Sequence, residues 1–171
     1  MTYEFTTGRL TVIDWRQALQ ICGESFYRQL LALLTPRVTQ ALPDCWQGVS
    51  AATIESWFAQ RAAEGEILTL LSPESHDLVG LLLLFADERA DASASAATLH
   101  IGYLLGEAFQ GKGLAKELLQ GLIDHCRALG TVGALVGGVE AANQASRHLL
   151  EVCGFGIQSQ NREHLFYQLQ L

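Results

Sequence analysis

The stretch from residue 98 to residue 130 constrains the fold of this 171-residue chain more than any other part. Residues 98–105 read as a strand. Gln110-Gly111-Lys112-Gly113-Leu114-Ala115 follows, and Leu114, Leu118, Leu122, Cys126 and Leu129 then recur at helical spacing until Gly130, a natural C-terminal cap. A strand running through a glycine loop into a helix returns by a crossover to a further strand, and residues 134–139 supply it.

The rest of the pattern fits around that unit. Residues 9–13 resemble a first strand. Asp14, with Gln17 three residues on, marks a capping start for a helix to about residue 33 that Gly23 divides. Residues 34–49, with Pro36, Pro43 and Gly48, read as irregular, and Ser50 opens a second helical stretch carrying Ile54, Trp57 and Phe58. Residues 67–71 and 78–85 are apolar runs separated by a polar turn, which predicts a hairpin. Residues 86–97 read as a surface loop. After residues 134–139 come a short helix over 143–153 closed by Gly154, and a last strand in which Leu165, Tyr167, Leu169 and Leu171 alternate. The expected order is β-α-α-β-β-β-α-β-α-β. It implies an α/β (α+β) fold with a mixed, mostly antiparallel sheet and helices on both faces. No repeat or linker interrupts it, so residues 1–171 are expected to form a single domain.

Charge and cysteine usage narrow the partners. A formal net charge of −7 and a pI near 5.1 argue against nucleic acid or an anionic membrane, since phosphate contacts need clustered Lys and Arg. An acidic surface favours cationic partners such as amines. Cys22, Cys45, Cys126 and Cys153 form no C-x-x-C pair and no zinc spacing with histidine, which predicts no metal and a reducing, cytoplasmic setting. The start of the chain has no signal-peptide core, and the apolar runs are too short to span a bilayer.

The chemistry concentrates in residues 110–115. Where a strand gives way to a helix, successive N–H groups lack intrahelical acceptors and can bind a phosphate or pyrophosphate. Gly111 and Gly113 keep side chains out of the way, and Lys112 and Lys116 are the chain's only lysines. The same glycines would also suit a turn that merely packs a strand onto a helix. A nucleotide-triphosphate loop is a further reading, because Gly106, Gly111 and Lys112 fit G-x-x-x-x-G-K. Gly113 then stands where Ser or Thr should ligate magnesium.

The run from Ile101 through Gly102, Tyr103, Leu104, Leu105 and Gly106 to Gln110-Gly111-Lys112-Gly113-Leu114-Ala115 resembles the acetyl-CoA motif of the GNAT superfamily. Asn143, Ser146 and the Gly154-Phe155 pair are similar to that family's later motif. Together with Gly8-Arg9-Leu10 they most resemble the RimJ/RimL-like branch, which includes acetyltransferases of ribosomal-protein N-termini. The resemblance implies the GNAT (acyl-CoA N-acyltransferase) fold and acetyl transfer from acetyl-CoA to a primary amine, either a protein N-terminus or a small molecule. The acting unit would be a monomer or homodimer. It also implies that the backbone at Leu104 and Leu105 pairs with the pantetheine arm. Gln110, Gly111, Lys112, Gly113, Leu114 and Ala115 would cradle the pyrophosphate, and Asn143 and Ser146 would contact the cofactor.

Amine acetylation needs a group that removes a proton. Strand alternation puts His100 and Gly102 on one face, which makes His100 the candidate base where many family members carry glutamate. A strand histidine satisfied by a neighbouring hydroxyl or carbonyl is the competing reading. Many members also carry a tyrosine seven residues after the asparagine as general acid. That position is Leu150, which leaves the acid to Ser146 or water, and makes a non-catalytic acyl-CoA-binding sensor or interaction module the alternative function. At pH 7 a neutral lysine amine costs about 4–5 kcal/mol and a neutral α-amine about 1, so a histidine base suits an α-amine.

Overall fold

A computed structural model describes residues 2–40, 42–86 and 96–171. They divide into two compact units, one running up to Leu83 and joined by Tyr103–Leu114, the other formed by Leu84–Gly102 and Ala115–Leu171.

In the first unit, β1 (Phe5–Thr6) pairs antiparallel with β2 (Thr11–Asp14), and β2 with β3 (Glu66–Leu71), in a register from Thr11↔Leu71 to Asp14↔Leu68. Asp14 ends β2 and caps α1 (Trp15–Cys22), its carboxylate accepting the Arg16 N–H at 2.8 Å. Gln17 does not close a capping box. Its amide goes to Glu4, whose Oε1 also accepts the Asp14 N–H at 2.9 Å. A residue ten positions upstream therefore takes the part that the i, i+3 rule gives to Gln17. Gly23, at φ +55°, divides the helical stretch as expected, with a 3₁₀ turn over Gly23–Ser25 before α2 (Phe26–Leu33).

Residues 34–49 are more regular than their prolines suggest. Pro36 occupies the first turn of α3 (Pro36–Thr39), where its missing N–H is harmless, and Thr35 caps it. A 3₁₀ turn covers Asp44–Trp46. The next helix, α4 (Ile54–Ala62), begins after Ser50, which bonds the Thr53 hydroxyl at 3.1 Å. Phe26, Leu30, Phe58, Ile67, Leu71 and Leu81 are fully buried in the core of this unit, each worth about 1.5–3 kcal/mol of burial. Edge-to-face contacts order its rings, with Phe58 at 5.2 Å from Trp15 and 5.8 Å from Phe26.

The hairpin strands are β3 and β4 (Leu78–Ala86). Their turn closes through the Ser72 N–H on the Asp77 carbonyl at 2.9 Å. The loop expected over residues 86–97 falls almost wholly outside the described residues.

β5 (Ala97–Leu105), which belongs to the second unit as far as Gly102, runs parallel to β6 (Val132–Glu140), the pairing produced by the crossover through α5 (Leu114–Leu129). β6 pairs antiparallel with β8 (His164–Gln170), and β8 with β7 (Gly156–Gln160). β7 carries no apolar alternation and is exposed along its length, so periodicity gave no sign of it. Between β6 and β7 lies α6 (Gln144–Val152), followed by Gly154 at φ +92°. The strands follow the order β1-β2-β3-β4-β5-β6-β8-β7. The sheet is mixed and mostly antiparallel, as expected: β5 with β6 is parallel, while β1 with β2, β2 with β3, β6 with β8 and β7 with β8 are antiparallel.

Among the described residues, no helix is long and apolar enough to cross a membrane. Cys126 on α5 is fully buried, and burial pushes its thiol up to about 11. The folded chain thus holds a proton that the unfolded chain releases from about pH 9, so this thiol's contribution to stability is lost as pH rises from 9 towards 11. Urea midpoints at pH 8 and 10.5 should fall less steeply for Cys126→Ala than for the wild type, and exposed Cys45 should react with a thiol reagent long before Cys126.

Candidate active site

The first unit carries the glycine loop. After β5 the chain passes through a 3₁₀ turn over Glu107–Phe109 and reaches Gln110-Gly111-Lys112-Gly113, with α5 starting at Leu114. Gly111 and Gly113 have φ of +71° and +77°, where a side chain is strained, and both are exposed. Among the described residues, none beyond its two chain neighbours places a heavy atom within 4 Å of an ideal Cβ at Gly111. Open space, backbone N–H groups at the start of a 16-residue helix, and Lys112 and Lys116 beside it suit a bound pyrophosphate.

Two side chains on this loop differ from the simplest cradle. Gln110 donates its amide to the Leu105 carbonyl at 2.9 Å, so it shapes the end of β5 as well as the loop. The Lys112 ammonium lies 6.0 Å from the Phe109 ring centroid, within cation–π range. Sequence reasoning missed Arg9 and Glu107. Arg9 Nη1 donates to the Lys112 carbonyl at 2.9 Å. Glu107 accepts from the Thr35 hydroxyl and pairs with Arg37 at 3.6 Å, which ties the segment before the loop to the start of α3. Partners 103 and 72 positions apart leave no local signal.

Leu104 and Leu105 are buried at the end of β5, and the backbone there runs very close to β4. An ideal Cβ on Gly80 would stand 2.2 Å from the Leu104 carbonyl oxygen. The β5–β6 register runs from Ala97↔Val132 to Ile101↔Gly137, and Leu104 and Leu105 lie beyond its last pair.

The second unit carries the remaining candidates. His100 is exposed on β5 between buried Leu99 and Ile101, and Gly102 is half-buried, as alternation predicts. Asn143 caps α6, its Oδ1 accepting the Ser146 N–H at 3.1 Å. That bond uses the carbonyl end of the amide and leaves the NH₂ end outside the cap. Leu150, where a family tyrosine would stand, is 1% exposed and packs on Gly137, its methyl carbons 3.3 and 3.5 Å from an ideal Cβ there. Its position is a core contact with no proton to give. Among the described residues no group of three or more side chains could hold a metal ion.

A sheet with this glycine loop at the strand-to-helix turn defines a class. The chain belongs to the acetyltransferase (GNAT) domain family, whose profile matches residues 24–156. Among curated proteins it is 34% identical over 114 residues to the L-amino acid N-acyltransferase MnaT of Escherichia coli, covering 67% of this chain and 64% of that one. It is 31% identical over 112 residues to an L-methionine sulfoximine/L-methionine sulfone acetyltransferase of Pseudomonas aeruginosa, covering 66% and 63%. The chain thus spans just under two thirds of the length of both relatives. The fold is shared with the solved structure of RimL, a ribosomal L7/L12 α-N-protein acetyltransferase in complex with coenzyme A, at a TM-score of 0.71, 16% identity and 96% coverage of each chain.

Proposed function

We propose that residues 1–171 act as one domain that transfers the acetyl group of acetyl-CoA to the primary α-amine of an amino acid, a related small molecule or a protein N-terminus. The observation that carries this reading is the exposed loop with glycines at φ +71° and +77° opening α5, in a chain of the GNAT family. Relatives named for amino acids and a fold neighbour named for α-N-protein acetylation support an acceptor that carries an α-amine. The finer RimJ/RimL-like placement rests on the wording of the motifs and on Gly8-Arg9-Leu10. Four free cysteines and the acidic composition suit a cytoplasmic setting.

In this reading the N–H groups of residues 111–115 hold the pyrophosphate, with Gln110 fixing the Leu105 carbonyl. Backbone groups at Leu104 and Leu105 take the pantetheine as an added strand. Asn143 offers its NH₂ group, and Ser146 stands one turn on. Acetyl-CoA supplies the thioester carbonyl that the amine attacks. His100 accepts the proton of the attacking amine, the thioester C–S bond breaks, and coenzyme A leaves as a thiolate protonated by Ser146 or water. The weakly basic α-amine of a peptide N-terminus is neutral often enough for a histidine to suffice.

The test is mass-spectrometric detection of product after incubation with acetyl-CoA and a panel of amino acids, methionine sulfoximine, N-terminal peptides and polyamines. Acetylated α-amines are expected, with side-chain amines acetylated far more slowly. Tight acetyl-CoA binding with no product across the panel would support the sensor reading, which buried Leu150 favours by removing the usual acid.

A further inference from the structure

We infer that Arg9 is a positioning residue of the anion loop: by holding the Lys112 carbonyl, it aims the Gly113 N–H at the face where the phosphate binds. The inference rests on the reading of residues 110–115 as a pyrophosphate loop. Arg9 Nη1 donates to the Lys112 carbonyl at 2.9 Å, and Nη2 lies 3.7 Å from an ideal Cβ on Gly113. The Lys112–Gly113 peptide is trans, and a planar trans peptide points its C=O and N–H in opposite directions. A guanidinium fixed on the carbonyl therefore fixes the N–H on the opposite side, away from Arg9.

The peptide needs such a hold. Gly113 sits at φ +77°, and glycine populates both signs of φ with similar ease, so nothing in its own backbone prevents this peptide from rotating. The Lys112 side chain lies against Phe109 instead of bracing the loop. Arg9 is well anchored for the task. The next residue, Leu10, is fully buried, and it exchanges hydrogen bonds with Thr7, receiving the Thr7 N–H at 2.8 Å and donating its own N–H to the Thr7 hydroxyl at 3.1 Å. The Arg9 head is exposed, so its removal leaves the core intact.

Calorimetric titration with coenzyme A and with pantetheine, which lacks the phosphates, tests the inference without an acceptor. The wild type should bind coenzyme A more tightly than pantetheine. Arg9→Ala should lose about 10-fold in coenzyme A affinity, the scale of one charge-assisted hydrogen bond, with pantetheine affinity unchanged. Arg9→Lys, which keeps a cationic donor, should recover part of the loss. Arg9→Gln gives the same comparison against the wild type should the alanine variant fail to fold. Unchanged coenzyme A affinity, or equal losses for both ligands, overturns the role of Arg9. A wild type that binds the two ligands equally overturns the loop reading beneath it.

Discussion

Replacement of His100 by alanine is expected to lower kcat/KM for the amine by about 10²–10⁴-fold, the range a general base supplies, with coenzyme A affinity unchanged. His100 is exposed between two buried neighbours on β5, so the substitution should alter stability by no more than about 0.5 kcal/mol. A large kinetic loss in a normally folded variant would then report chemistry and not collapse. The pH–rate profile separates a base from a residue that only binds. The profile of the variant should differ in shape from that of the wild type if His100 is the base. Turnover and profile both unchanged would assign the base elsewhere. The same reasoning orders peptide acceptors: neutralising an N-terminal α-amine at pH 7 costs about 1 kcal/mol against about 4–5 for a lysine side chain, so the histidine enzyme should favour N-termini over lysine side chains.

What the sequence revealed and what it hid divide along the range of the interactions. Asp14, Asn143, Gly23 and Gly154 act within four residues of themselves, as caps or helix ends, and each does what its type predicts. The crossover from β5 through α5 to β6 is equally local in origin, written in the 3.6-residue recurrence of Leu114, Leu118 and Leu122. Gln17 fails as a capping partner because Glu4 competes for the same N–H from ten positions away. Short α3 was obscured by Pro36, whose two uses, as breaker and as first helical residue, look the same in a sequence. In the candidate site the split is sharper. The glycine loop is contiguous and was legible. Arg9, which grips that loop, and Glu107, which ties it to Thr35 and Arg37, act across 70 residues or more and could be found only in three dimensions.

The largest effect on stability is expected at Gly80. It lies in β4, where an ideal Cβ would stand 2.2 Å from the Leu104 carbonyl oxygen, 2.8 Å from a Leu105 methyl and 3.1 Å from a Leu70 methyl. The side-chain contacts could relax by rotation. The backbone oxygen cannot, so Gly80→Ala must push β4 away from the end of β5. Overpacking in a tight core costs about 1–3 kcal/mol, and a collision with main chain belongs at the upper end of that range. For a domain of this size about 3 kcal/mol corresponds to a fall in Tm of roughly 6–12 °C. The displaced segment includes Leu104 and Leu105, the residues assigned to the pantetheine, so pantetheine affinity should weaken in the variant even well below its melting temperature. Gly156→Ala is the matched control, since its Cβ would meet no atom within 4 Å among the described residues beyond its chain neighbours and its φ is not positive. It should shift the urea midpoint by an amount equivalent to less than about 0.5 kcal/mol. If Gly80→Ala matched that control in both stability and ligand affinity, the close approach of β4 to Leu104 could not be what sets the path of this strand.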